Sequence, residues 1–179
     1  MPKLLPLRVL DEHDILNFYT YSGNFPVNNG TFVKIVGSGF VNQSLSSMGA
    51  VGATYPGVTS NRWTVAPQVA QVTSTGDLPI GMLLYDGREV DENGELLKFR
   101  PQKAAEMQAF LSGQAVPIAY KGQFMYSGVS GTPAAGDKAY VDYNTNGGIT
   151  TSANTNLYIG RFLGAKNSAG WAMIKLDIV

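Results

Sequence analysis

Beyond Gln114, polar and apolar positions alternate in short runs separated by Gly, Pro and Asn. Val116, Ile118 and Tyr120 alternate with Pro117 and Ala119, and after Lys121-Gly122 a second run covers residues 123–126; the pattern predicts two strands and a tight turn. Past a loop at 127–133, Ala139, Val141 and Tyr143 share one face while Lys138, Tyr140 and Asp142 share the other, the signature of a half-buried strand. Asn144-Thr145-Asn146-Gly147-Gly148 tolerates positive φ and predicts a reversal into Ile149-Thr150-Thr151. Residues 157–163 form the next run, 166–170 turn the chain, and Ala172, Ile174, Leu176 and Ile178 then alternate with Trp171, Met173, Lys175 and Asp177. One face of that last strand is core.

The preceding part reads similarly, with interruptions. Residues 31–36 are rich in β-formers and closed by Gly37-Ser38-Gly39, as expected of a first barrel or sandwich strand. Residues 41–61 lack a period and predict a long loop, ordered by function or by a partner. Strand character returns at 63–72 and at 80–85. Asp91-Glu92-Asn93-Gly94 predicts a solvated turn. Pro101 at a first helical position, with Ala104, Met107 and Leu111 at helical spacing, predicts one short helix near 102–111. The expected fold is all-β, a small β-barrel or β-sandwich over 30–179 with that helix.

Residues 1–29 read as an extended N-terminal arm, because Pro2, Pro6 and Pro26 interrupt regular structure and no period is sustained. Asp11 suits the N-cap of a short helical turn, and residues 17–21 equally suit a strand added to a sheet edge. Leu4, Leu5, Leu7, Val9, Leu10, Ile15, Leu16 and Phe18 each forgo about 1.5–3 kcal/mol if left in water. With Tyr19 and Tyr21 they are the expected partner-binding residues, lying on a neighbouring chain. A faint internal echo links Gly30-Thr31-Phe32-Val33-Lys34-Ile35 and Ile80-Gly81-Met82-Leu83-Leu84 to Gly136-Asp137-Lys138-Ala139-Tyr140-Val141 and Ile159-Gly160-Arg161-Phe162-Leu163. As a true repeat it predicts two similar hairpin units sharing one barrel, with an insertion in the first copy; the equal alternative is that β-proteins reuse the same short words, since a short strand specifies little.

Composition narrows the function. Charged residues are 15% of the 179, against about 25% in an average domain, while the hydrophobic share is an ordinary 44%. So little charge points to surfaces facing other protein chains, including self-association as a dimer or trimer. Thirteen basic against thirteen acidic residues leave no basic stripe for nucleic acid. Neither a secretory signal nor an apolar run of membrane-spanning length is present, so a soluble protein is expected.

Candidate chemistry is sparse. The single histidine, His13, sits among carboxylates with no local nucleophile, and one His without Cys makes a poor zinc site. The glycines at 37–39 and 49–52 lack the Gly-Lys-Ser/Thr of a phosphate loop, and the carboxylates at 86–95 miss calcium-loop spacing. Neither an enzyme nor a cofactor or metal site is expected.

With Gly136-Asp137-Lys138-Ala139-Tyr140-Val141-Asp142, the hairpin through Gly147-Gly148-Ile149-Thr150-Thr151, Tyr158-Ile159-Gly160-Arg161-Phe162-Leu163-Gly164-Ala165 and the closing Met173-Ile174-Lys175-Leu176, the C-terminal half resembles tailed-bacteriophage capsid decoration (cement) proteins. The run from Leu7-Arg8-Val9-Leu10 through Asp14-Ile15-Leu16-Asn17 to Gly30-Thr31-Phe32-Val33-Lys34 is similar to such phage structural proteins. The resemblance implies a small β-barrel or β-sandwich module, made in the host cytoplasm, that binds the outer surface of an icosahedral head and cements contacts between capsomers. Its implied partners are the major capsid protein and copies of itself. The alternative is a receptor-binding or fibre-associated virion protein that recognises host surface glycans through exposed aromatics.

Overall fold

The computed structural model describes residues 3–7, 10–36, 68–143, 148–153 and 157–178, with only the backbone of Phe18. The loop expected at 41–61 lies outside the described residues. The fold is all-β, as the alternation predicts, with one short α-helix among the described residues.

Five strands, β2 (Ile15–Tyr21), β3 (Phe32–Val36), β4 (Gln68–Gln71), β5 (Pro79–Leu83) and β8 (Ala115–Ala119), close a barrel in the order β2-β4-β3-β5-β8. Between β5 and β8 an excursion carries β6 (Asp86–Gly87), a 3-10 turn at Leu97–Phe99, helix α1 (Pro101–Glu106) and β7 (Ala109–Phe110), with β6 and β7 paired in parallel. A second sheet takes β1 (Leu4–Pro6), β9 (Lys121–Tyr126), β10 (Val129–Ser130), β11 (Lys138–Asp142), β12 (Gly148–Thr150), β13 (Tyr158–Phe162) and β14 (Ala172–Asp177) in the order β1-β9-β14-β13-β11-β12-β10. Only Ser127 and Gly128 separate β9 from β10, although the two stand far apart in that order, so the sheet curls round into a second, barrel-like unit.

The echo is a structural repeat. In the first unit Phe32 pairs with Met82, Val33 with Gly81 and, across a bulge, Lys34 with Pro79. In the second Lys138 pairs with Arg161, Ala139 with Gly160 and, across a bulge at the same step, Tyr140 with Tyr158. The backbone bonds match. Gly30 N donates to Leu83 O at 2.7 Å and Leu83 N to Thr31 O at 3.0 Å, as Gly136 N does to Phe162 O at 2.8 Å and Phe162 N to Asp137 O at 2.9 Å. Side chains repeat too, since Ser22 Oγ donates to Val69 O at 3.2 Å and Ser130 Oγ to Ile149 O at 3.3 Å. A Cβ on Gly81 would meet Ala119 O at 2.6 Å, and one on Gly160 would meet Lys175 O at 2.0 Å. Only glycine fits where the third strand crosses so closely. The expectation of one shared barrel is corrected, because each copy builds its own sheet; β3-β4-β5-β8 corresponds to β11-β12-β13-β14. The first copy carries both insertions, at 37–67 and across the β5–β8 excursion.

Successive side chains point to opposite faces of a strand, and where β3, β5 and β8 run side by side both faces are buried. Val33, Leu83 and Ile118 join Tyr19, Tyr21, Val69 and Val116 in the first barrel's own core. Phe32, Met82 and Ala119, one residue along each strand, join the core of the second unit with Phe124, Tyr126, Phe162 and Ile174. Burying Phe32 and Met82 contributes about 1.5–3 kcal/mol each to this seam. Tyr126 spans it, its buried hydroxyl donating to Gly30 O at 3.1 Å.

The structure corrects the arm at 1–29. β1 pairs antiparallel with β9, Leu4 opposite Tyr126, and β2 lies between β4 and β8 as a full barrel strand. The period was masked by a register shift between Leu16 and Tyr19, which spaces the inward residues by three and then two. Both local readings of the segment occur in succession: Asp11 caps a 3-10 turn at Glu12–Asp14 by accepting from His13 N at 3.1 Å, and β2 follows. Pro6 ends the edge strand β1, where a missing N–H is tolerated.

The helix is also shorter than expected. It ends at Glu106, Gln108 takes a left-handed φ of 49°, and Ala109–Phe110 becomes strand. Phe110 is instead drawn into the first barrel's core, edge-on to Tyr21 and Phe25 at 5.9 and 5.8 Å between ring centres.

Candidate interaction surface

The expected partner-binding residues divide three ways. Leu4, Tyr19 and Tyr21 are buried, and Leu10, Ile15 and Leu16 are half-buried, Leu10 and Leu16 against the two cores. Tyr21 also meets Phe25 edge-on at 5.7 Å, and burial raises the pKa of its phenol. These side chains serve the fold. Leu5 and Leu7 are exposed, at 55% and 40%, and remain open to a partner. Val9 and the side chain of Phe18 lie outside the described residues.

Larger exposed apolar groups lie elsewhere. Phe99 is 75% exposed on the β5–β8 excursion, which also presents Tyr85, Val90 and Leu96. Leu78 is 71% exposed beside Ile35, at a rim groove that also holds Lys34 and Asp77. On the outer face of the second unit, register aligns Leu5, Met125 and Met173 across β1, β9 and β14. Leu163 extends that row by donating its N–H to Met173 O at 2.8 Å. The row beside it runs Lys138, Arg161, Lys175 and Gln123 across β11, β13, β14 and β9. All three cations are exposed.

The electrostatics elsewhere serve structure. Burial pushes the Asp77 carboxyl up, but the Lys34 ammonium at 2.6 Å and the amides of Thr73 and Ser74 outweigh it and hold its pKa at about 2. A groove of about 530 Å³ is lined by Phe25, Pro26, Met107 and residues of 88–92. Its Arg88 is committed, donating to Val27 O at 2.8 Å, Gly87 O at 3.0 Å and Asn28 Oδ1 at 2.6 Å. The turn at 91–94 differs from expectation in that Asp91 is buried. Its Oδ1 accepts from Asn93 N at 2.8 Å and Glu95 N at 2.9 Å, while its Oδ2 faces Arg100 Nη1 at 3.9 Å. The Glu95 amide, with Asn93 and Arg100, keeps this carboxyl below the usual range against its burial. Arg100 pairs in turn with Glu95, and Lys103 with Glu92 at 2.6 Å.

His13 is exposed, its Nδ1 3.1 Å from Asp11 Oδ1, and its backbone carbonyl accepts from the Tyr120 hydroxyl. Among the described residues no group of three His, Cys, Asp or Glu is placed to hold a metal ion, and no helix is long and apolar enough to cross a membrane. Sequence reasoning missed the two outer rows, because their members come from strands far apart in the chain and meet only through register. No protein-family model matches the chain, and no curated protein matches it.

Proposed function

We propose that the chain is a virion structural protein that decorates the outside of a tailed-phage head and cements neighbouring capsomers. The observation that carries this reading is the distribution of exposed apolar side chains. Phe99, Leu78 and the row holding Leu5 and Met173 lie at separate places on the outside of two packed units instead of converging on one pocket, a distribution suited to several shallow protein contacts. The resemblance carried by the strands at 136–143 and 158–165 points the same way. With no long free arm described, reinforcement falls to the two rigid units and their loops, which bridge subunits as a wide wedge. The major capsid protein is the principal partner and a second copy of this chain another, giving a dimer or trimer.

The test is to add the purified protein to heads assembled without it, sediment the particles, and locate the protein by electron cryomicroscopy. Density at regular lattice positions, with heads more resistant to heat, is expected. Protein that stays in the supernatant, or that binds immobilised host glycans and not heads, would overturn the reading.

A further inference from the structure

We infer that the outer face of β11, β13, β14 and β9 is a docking surface for an acidic protein surface, which on the decoration reading belongs to the shell. Lys138, Arg161 and Lys175 are direct cross-strand neighbours. Strands lie about 4.8 Å apart, so three positive charges occupy a line about 10 Å long. Like charges placed directly opposite in a sheet destabilise it. Among the described residues none of the three has a carboxylate oxygen within 4.0 Å. Asp177, on the same face of β14, is aligned with Lys121, a fourth cation. One guanidinium nitrogen of Arg161 donates to Gly136 O at 3.0 Å, which steadies the head group.

The repeat supplies an independent argument. The positions of Lys138, Arg161 and Lys175 are those of Phe32, Met82 and Ala119 in the first unit. There the same face is covered by the second unit. The fold thus already uses this face once as a protein contact, and in the second copy the face is open, with cations in place of the apolar anchors. The neighbouring row of Leu5, Met125, Met173 and Leu163 separates a protein partner from a polyanion. Phosphates would meet three cations and leave four apolar side chains unmatched, whereas an acidic protein patch with an apolar border meets both rows. Methionine adapts readily to such a border.

The experiment compares wild type with a variant carrying Lys138→Glu, Arg161→Glu and Lys175→Glu, and with a milder one carrying Gln at the same positions. Cooperative unfolding with midpoints no lower than that of wild type confirms folding, and both variants are then sedimented with heads assembled without the protein. Head binding about tenfold or more weaker for the Glu variant, intermediate for the Gln variant, and a gap that narrows as salt rises from about 0.05 to about 0.5 M are expected. Wild type and both variants occupying heads equally would overturn the inference while leaving the decoration reading intact. Failure of wild type to bind heads would instead overturn that reading, and the surface is then judged by nuclear magnetic resonance titration of the full chain with poly-glutamate. Shifts confined to β11, β13 and β14 uphold an acidic protein partner. No shifts there, or tighter binding of oligothymidylate on the same face, overturn it.

Discussion

The two units share a strand order, a bulge position and a close-approach glycine, yet they treat one face in opposite ways. Phe32, Met82 and Ala119 of the first are buried in the seam, while Lys138, Arg161 and Lys175 of the second stand in solvent. Register and bulge therefore follow from the repeated glycine and backbone bonds, whereas the outward side chains decide what each unit packs against. One strand scaffold supports both outcomes because outward positions are independent of the inward ones that hold the barrel.

Exchanging the outward residues breaks the comparison most severely. Phe32→Lys puts an unpaired ammonium into the seam and should cost about 4 kcal/mol or more, whereas Lys138→Phe at the equivalent exposed position should shift stability by no more than about 0.5 kcal/mol. Denaturant titration of both measures the asymmetry; equal losses would mean that the faces are not differently covered. The shared glycine gives a symmetrical test. Gly81→Ala and Gly160→Ala should each cost about 1–3 kcal/mol through overpacking. Gly160 should suffer more, since its φ is +155° and the opposing carbonyl oxygen is nearer.

At the bulge the copies diverge, with the Lys34–Asp77 ion pair in the first and the edge-on pair Tyr140–Tyr158 in the second. Asp77 titrates in the fold at about 2, below its ordinary 3.8. Its stabilisation is therefore complete above pH about 4 and disappears as pH falls through about 2. Asp77→Asn should cost about 1–2 kcal/mol at neutral pH and only about 0.4 kcal/mol at pH about 2, read from thermal unfolding across that range. A variant equally destabilised at both pH values would break this assignment. A smaller loss is expected of Tyr126→Phe, which removes the hydroxyl bond to Gly30 O across the seam and should lower stability by about 1 kcal/mol.

Sequence alternation identified the strands whose two faces meet different surroundings. β14, with Ala172, Ile174 and Leu176 in and Met173, Lys175 and Asp177 out, is as legible in the sequence as in the fold. β2 was not, because the shift between Leu16 and Tyr19 hides its period, and so a barrel strand read as part of an arm. Tyr19 and Tyr21, expected to bind a partner, instead fill the first barrel. The helix pattern through Phe110 lost to tertiary packing, since that ring closes on Tyr21 and Phe25. The short charge count has a partial structural cause in the seam, where β3, β5 and β8 bury both faces. Of the docking rows the sequence showed only isolated letters, since register brings together residues 138, 161 and 175.

The most direct measurement is mild peroxide oxidation of the native protein, followed residue by residue by mass spectrometry. Met82 lies on the first unit's outward face and is fully buried, while Met173 on the second unit's outward face is 37% exposed. The account predicts that Met173 is oxidised rapidly and Met82 only as fast as the chain unfolds. Oxidation of Met82 at the rate of Met173 in the folded protein would contradict it, for the seam between the two units would then be open.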